Sequence, residues 1–313
     1  MAVGLELLRA GKQDTQLGAR KLCTGQKMAS HRGIVDTEPK GSFAALTWNL
    51  FHGRDFPPDP ALFTWRSRLL RRTERNATHV QVNRPLLDPF ANALDAMDWQ
   101  VALLQEAPPR WLRLLGERCG CSGVLARTSR NELPALRAAA AQLNPDLIAS
   151  NEGGSNMVLV RAPGRLEQVE RVPLAVRPER RTLLLARVSL PDGSPLAVAC
   201  MHLSVNSTGQ GPAEVERAAT LASRFAGGAP LLFGGDLNLR PRQHPNTFTR
   251  LRDSFGLQAS TRPEAIDHLL TAGLGTLSRP RALEPSDREL VAEPGRRLRL
   301  SDHAPIVGRF EMR

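Results

Sequence analysis

Six short polar motifs stand at one end or the other of apolar, strand-like runs. Asn49 follows LTW, Glu106 follows VALLQ, His202 follows VACM, and Asp236-Leu237-Asn238 follows LLFGG; Asp267 lies in Ile266-Asp267-His268, and Asp302-His303 precedes APIV. In an extended chain Asp236 and Asn238 face the same way while Leu237 points to the core. A carboxylate beside an amide can handle one water, the Asp accepting its proton and the Asn orienting it or the substrate oxygen. Asp–His pairs set the tautomer and basicity of the imidazole, and general acid–base work of this kind contributes roughly 10²–10⁴-fold. Taken singly, each residue has an ordinary structural use as a turn former, a loop cap or a satisfied histidine. The order Asn, Glu, His, Asp-x-Asn, Asp-His, Ser-Asp-His, with each member tied to a strand, is what points to chemistry. Catalytic groups of open α/β sheets collect at strand ends, where the sheet positions them and the loops leave room for substrate.

The elements that must do the positioning are legible as alternating patterns. Short apolar runs at 43–48, 101–105, 156–160, 181–190, 195–203, 230–235, 266–271 and 304–310 predict buried strands. Helical spacing covers 61–72, 85–97, 109–119, 132–143, 213–225 and 246–256. Within 213–225, Val215, Ala218, Ala219, Ala222 and Phe225 recur at three and four, and Pro212 stands just before them. Pro191-Asp192-Gly193 reads as a hairpin turn between two strands. Hairpins mixed with helical crossovers exclude an all-parallel sheet and predict a mixed α/β sandwich, with sheets inside and helices outside.

With these residues in place, the chain resembles the endonuclease/exonuclease/phosphatase superfamily, the group that includes DNase I and the abasic-site exonucleases. LTWNL, LLQE, MHL, GGDLNLRP, IDHLL and LSDHAPIV carry the resemblance, in that order over roughly 43–310, with GGDLN and SDHAPI the most specific. The resemblance implies a DNase I-like, four-layer α/β sandwich with two mixed central β-sheets flanked by helices. It implies a phosphoester hydrolase dependent on Mg²⁺ (or Mn²⁺), most directly a phosphodiesterase or nuclease in which an activated water attacks in line. The alternatives are a phosphatase of lipid, inositol or sugar phosphates, and a non-catalytic nucleic-acid-binding scaffold.

Carried over residue by residue, Glu106 would be the principal metal ligand, with Asn49 and Asp302 near the same ion. Asp236 would activate the water and Asn238 hold the phosphate. His202 and His303 would stabilise its developing charge, with Asp267 orienting His303, and Asn156 would be a substrate-binding position. Oxygen ligands suit Mg²⁺, which keeps several waters and needs only one or two carboxylates. Zinc would call for clustered Cys or His, and the Cys119-x-Cys121 pair has no partner ligands in sequence.

The chain departs from the abasic-site enzymes in having no tyrosine at all. A long insert at 54–90 carries Trp65 and Arg66, Arg68, Arg71, Arg72, Arg75 and Arg84. It reads equally as an arginine wall facing phosphates or as a solvated helix face.

Composition narrows the field without deciding it. The 313 residues carry 42 Lys+Arg against 31 Asp+Glu, a formal charge of +11 that would attract phosphates. All four lysines lie within the first 40 residues and from 41 onward lysine gives way wholly to arginine, a bias explained more simply by nucleotide composition than by a selected surface. Residues 1–41 read as a flexible N-terminal extension and 42–313 as one catalytic domain. Four scattered cysteines suit a reducing compartment. No apolar stretch is long enough to span a bilayer, and the opening residues make a poor secretion signal. The expectation is a monomeric, cytoplasmic enzyme whose partner is its phosphoester substrate, nucleic acid among the candidates. No P-loop, HExxH or GxSxG pattern is present.

Overall fold

Alternation along the apolar runs decides which face each strand gives to which layer. In the computed structural model, which describes residues 41–128, 134–144, 154–176, 180–205, 209–258 and 261–313, those runs form the centre of two stacked mixed sheets. The expected extension at 1–41 lies outside the described residues except for its last position, as does Asn206-Ser207-Thr208, a glycosylation-type triplet.

In chain order the strands are β1 (Ser42–Asn49), β2 (Glu74–Arg75), β3 (Val80–Gln81), β4 (Val101–Ala107), β5 (Cys121–Arg127), β6 (Ser155–Arg161), β7 (Arg165–Ala175) and β8 (Arg181–Ser189). They continue as β9 (Pro195–His202), β10 (Leu231–Asp236), β11 (Asp267–Ala272), β12 (Leu274–Ala282), β13 (Glu289–Glu293), β14 (Arg296–Arg299) and β15 (Ile306–Met312). The helices are α1 (Trp65–Leu70), α2 (Leu87–Ala96), α3 (Trp111–Cys119), α4 (Pro134–Leu143), α5 (Gly211–Ala226) and α6 (Pro245–Phe255).

One sheet runs β12-β15-β1-β4-β6-β5 and the other β11-β10-β9-β8-β7. Each has one parallel pair, β1 with β4 and β9 with β10, so two parallel strand ends open on the same side of each sheet. Between the sheets, Phe43, Ala45, Val101 and Leu103 pack with Val198, Cys200, Leu232 and Leu269. The intervening residues Leu46, Trp48, Ala102 and Leu104 instead pack outward with Phe90, Leu94, Trp111 and Leu115 from α2 and α3. On the far side Ala197, Ala199, Met201, Leu231 and Phe233 pack with Val215, Ala218, Ala219 and Ala222 of α5. The order helix, sheet, sheet, helix is the expected four-layer sandwich.

The helix with the clearest three-and-four spacing forms as its sequence dictates. Pro212 occupies its first turn, where no intrahelical donor is needed, and Gly227 (φ 57°) ends it by donating to the Ser223 carbonyl. The Pro191-Asp192-Gly193 hairpin also forms, with Gly193 N donating to Leu190 O at 2.8 Å.

Besides the short pairs β2-β3 and β13-β14, three strands of the two large sheets are not visible as apolar runs, and all three lie at an edge. β5, β7 and β12 border the sheets, and β7 alternates exposed and half-buried residues along RLEQVERVPLA. These three edge strands leave much of one face exposed and carry charge that discourages further pairing, so no continuous apolar run marks them, whereas the edge strand β11 is buried on both faces and is marked by one. The helix expected over 61–72 is shorter, a 3₁₀ turn at Pro60–Leu62 followed by α1, because Thr64 breaks in as a new N-cap accepting from Ser67 N at 3.1 Å. In the insert, Arg66, Arg68, Arg71, Arg72, Arg75 and Arg84 are all exposed, and Trp65 is 62% exposed. No helix among the described residues is long and apolar enough to cross a membrane.

Candidate active site

Parity places most of the site. On β1 the inward residues are Phe43, Ala45, Thr47 and then Asn49, so the last one faces the opposite sheet. On β9 the inward set Val198, Cys200 ends in His202, and on β10 Leu232 and Gly234 end in Asp236. On β11 Asp267 shares the inward face with Leu269, whereas His268 turns outward. There it is fully buried, bonds the Leu239 and Ala265 carbonyls through Nε2 and stacks near Phe248. His268 is thus a core residue.

Register completes the arrangement: Asp236 is paired with His202 on one side and with Asp267 on the other. Gly235 makes this close approach possible. It has φ 130°, and a Cβ there would stand 2.0 Å from the Met201 carbonyl oxygen.

Glu106 breaks parity. After inward Gln105 it should point at the helices, yet its backbone is left-handed (φ 47°) and the β4–β6 register slips between Leu104 and Ala107. The bulge turns the carboxylate back into the mouth between the sheets. Asn49 Nδ2 then donates both to Glu106 Oε1 at 3.2 Å and to Asp236 Oδ2 at 3.0 Å.

The loop after β14 is fastened beneath the same mouth. Ser301, itself left-handed (φ 57°), donates through Oγ to the Asn49 carbonyl at 2.6 Å and accepts from His303 N at 3.0 Å. Trp48 Nε1 donates to the His303 carbonyl at 3.0 Å. These bonds hold His303 so that Nδ1 lies 2.7 Å from Asp267 Oδ2 and Nε2 lies 3.9 Å from Asp236 Oδ2. Asp302 Oδ1 is 4.0 Å from His303 Nε2. His202 sits between the halves, Nε2 3.5 Å from Asp236 and Nδ1 3.8 Å from Glu106.

The electrostatics follow from burial and from crowded carboxylates. Burial and the Asp267 charge push the Asp236 carboxyl up, against the pull of His303 and Asn49. Burial and Glu106 likewise raise Asp302. Burial works to raise Glu106 too, but His52, His202 and the Asn49 amide outweigh it and hold the group below its ordinary value. Burial lowers His202 to about 3, keeping its imidazole neutral. For His303 burial acts downward, yet the Asp267 hydrogen bond and the surrounding carboxylates raise it to about 10.

Two expected positions differ in detail. Asn238 is not extended: its backbone is left-handed (φ 52°), its N donates to Asp236 Oδ1 at 3.1 Å, and its Nδ2 donates to the Leu203 carbonyl at 3.0 Å. The chain turns at once after Asp236, so Asn238 buttresses the carboxylate through its backbone. Asn156 is fully buried, donates to the Thr182 carbonyl at 2.7 Å, and makes its bond between the sheets rather than to the cluster. His52, which no strand-end pattern marks, is brought in: its Nε2 lies 3.1 Å from Glu106 Oε2. The Cys119 and Cys121 thiols contact the Ala91 and Leu115 carbonyls, and burial pushes them up to about 11 and about 12, so they remain protonated.

The donor set fits a divalent cation. Four carboxylates converge on one mouth, and among the described residues Asp236, Asp267 and His303 bring ligand atoms within 4.8 Å of one another. That tightest trio is already knitted by the His303–Asp267 bond, which suits it to proton handling. Glu106 and Asp302 supply the hard oxygens that Mg²⁺ or Mn²⁺ prefers, while Asn49, expected near the same ion, turns its Nδ2 to Glu106 and accepts from Phe51 N through Oδ1.

Two stacked mixed sheets with acids, imidazoles and amides gathered at their parallel strand ends define a four-layer α/β sandwich of the DNase I-like type. The chain belongs to the Endonuclease/Exonuclease/phosphatase family, whose model matches residues 46–303. The family comprises phosphoester hydrolases.

Solved structures agree on the fold. The human Nocturnin catalytic domain with bound sulfate anion superposes with a TM-score of 0.56 at 16% identity, covering 87% of this chain and 95% of that one. A family protein from Bacteroides thetaiotaomicron gives 0.58 at 14% identity, covering 87% and 95%. Truncated Caenorhabditis elegans TDP2 gives 0.54 at 16% identity, covering 86% and 97%. No curated protein sequence matches the chain.

Proposed function

We propose that the protein is a divalent-metal-dependent phosphodiesterase, with nucleic acid as its first substrate class. The observation that carries this reading is the single amide of Asn49 hydrogen-bonded to both Glu106 and Asp236, beside the His303–Asp267 pair.

Glu106 and Asp302, with the Asn49 amide fixing Glu106 beside them, would hold the cation, which when bound polarises a phosphoryl oxygen and offsets the carboxylate charge. Asp236 accepts the proton of the attacking water, its carboxylate aimed by the Asn238 backbone N–H and the Asn49 amide. His303, kept cationic by Asp267, faces the developing negative charge with Nε2. Neutral His202 adds a donor from the other side. Donors fixed in advance at a half-buried mouth stabilise that charge without reorganising, an effect worth roughly 10²–10³-fold for one donor.

The test is hydrolysis of single- and double-stranded DNA, RNA, phosphoinositides and small phosphodiesters, in Mg²⁺ and then in chelator. Metal-dependent turnover of a nucleic acid, lost in Glu106→Gln, is the expected result. Turnover confined to phosphoinositides or sugar phosphates would move the substrate to the phosphatase alternative. Tight nucleic-acid binding in chelator with no turnover of any substrate would make the protein a binding scaffold instead.

A further inference from the structure

Beside the expected ligands stands a side chain that their pattern does not include. Phe51, His52 and Gly53 are three consecutive left-handed residues, with φ 47°, 54° and 74°. Two of them carry a Cβ, and such residues are strained there and persist only where the surroundings enforce them. The surroundings do enforce them. Phe51 N donates to Asn49 Oδ1 at 2.9 Å and Gly53 N to the Leu50 carbonyl at 2.8 Å. The Phe51 ring meets Phe56 edge-on at 5.6 Å and lies under the Arg54 guanidinium at 5.1 Å.

What this strained turn accomplishes is to aim one imidazole at one oxygen. His52 Nε2 lies 3.1 Å from Glu106 Oε2, while Glu106 Oε1 is taken by Asn49. Gly154 leaves the space for both groups: a Cβ there would stand 2.9 Å from Glu106 Cα and 3.4 Å from His52 Cε1. Neighbouring ligands on an octahedral ion with arms of about 2.1 Å are about 3.0 Å apart, so this nitrogen–oxygen pair already has the spacing of two adjacent coordination positions. His303 is committed to Asp267 through Nδ1, and the nearer nitrogen of His202 stands 3.8 Å from Glu106. His52 is therefore the imidazole on the Glu106 side of the mouth.

We infer that His52 is a nitrogen ligand of the cation held by Glu106, and that it biases the site from Mg²⁺ toward Mn²⁺. Mg²⁺ favours an all-oxygen shell, whereas first-row transition ions accept mixed imidazole and carboxylate ligands more readily. The inference rests on the metal-dependent reading above and adds a ligand and a preference to it.

Mn²⁺ itself is the probe. The full chain is titrated with Mn²⁺ alone and the free ion is read by electron paramagnetic resonance. Mg²⁺ is then used as competitor, and the bound Mn²⁺ is examined for magnetic coupling to an imidazole ¹⁴N. The wild type is expected to bind Mn²⁺ at least about tenfold more tightly than Mg²⁺, with the ¹⁴N coupling present. His52→Asn, whose side chain tolerates a left-handed backbone, should lose the coupling and most of that preference; His52→Gln serves if the first variant folds poorly. Bound Mn²⁺ without imidazole coupling in the wild type would overturn the inference, as would coupling and preference that survive both substitutions. Failure of the wild type to bind Mn²⁺ or Mg²⁺ at all would overturn the metal-dependent reading itself.

Discussion

Asn49 Nδ2 lies 3.0 Å from Asp236 Oδ2, a hydrogen bond that joins the end of β1 in one sheet to the end of β10 in the other. The same nitrogen reaches Glu106 at 3.2 Å, so one amide sets the distance between the Asp236 and Glu106 carboxylates, which the proposed mechanism assigns to the water and to the metal. Asn49→Ala should lower turnover by roughly 10²–10³-fold, as loss of one preorganised donor does. Its stability should change by only about 1–3 kcal/mol, since the buried Asp236 and half-buried Glu106 carboxylates lose a partner. Asn49→Asp should fall at least as far, because it replaces the donor with a further negative charge. Steady-state hydrolysis and thermal melts of the three proteins check this, and near-wild-type turnover in Asn49→Ala would remove the amide from the mechanism.

In the proposed mechanism Asp267 acts through His303, whose Nδ1 lies 2.7 Å from its Oδ2. Asp267→Asn keeps the shape and removes the charge that keeps the imidazole cationic and oriented. Turnover should fall by roughly 10²–10⁴-fold while the Michaelis constant stays within a few-fold. Equal losses in both would show that Asp267 supports the site's architecture rather than the charge on His303.

Gly235 makes a prediction about folding rather than chemistry. Its φ of 130° and the 2.0 Å approach of a notional Cβ to the Met201 carbonyl leave no room for alanine between β9 and β10. Gly235→Ala should cost roughly 3 kcal/mol or more, read as a lowered denaturant midpoint or a loss of soluble protein. A melt unchanged from wild type would mean that the two strands separate more easily than their register implies.

Asp55 predicts a dependence on pH. It is buried at the start of the insert, accepts from Val82 N at 2.9 Å, and burial raises its carboxyl to about 7. A raised acid binds its proton more tightly folded than unfolded, so stability is fullest below the unfolded value near 3.8 and declines as pH rises toward 7. Asp55→Asn should remove that slope, gaining on wild type by up to a few kcal/mol between pH 4 and 7 and levelling off above. Thermal midpoints across this range, taken in chelator, measure it; a constant difference between the two proteins at every pH would contradict the assignment.

The sandwich and most of its mouth can be reasoned from the chain because central strands bury both faces. Continuous apolar runs therefore mark β1, β4, β9 and β10, and the period of two carries Asn49, His202, Asp236 and Asp267 to the same side. The edge strands β5, β7 and β12 lack that signature for the converse reason. Glu106 is on the expected strand, but its orientation depends on a bulge, and nothing local in VALLQEA announces one. Asn238 was expected to extend alongside Asp236 and instead closes a turn against it, because its backbone N–H finds Asp236 Oδ1. His52 was missed because it follows the strand by three residues, on a left-handed turn whose only visible sign is Gly53. Ser301 could have been found: a hydroxyl immediately before Asp-His is well placed to tie its own loop.

The distribution of tryptophan has a consequence for watching this molecule unfold. Trp48, Trp99 and Trp111 are buried in the layer shared by the six-stranded sheet and its helices, Trp65 lies on the surface of the insert, and the chain has no tyrosine. The five-stranded sheet and α5 pack around Phe225 and Phe233 instead. Near-ultraviolet absorbance and intrinsic fluorescence thus report on one half of the sandwich and are nearly blind to the half that carries His202, Asp236 and Asp267. A loss of activity that precedes any optical change would locate the first opening in the dark half.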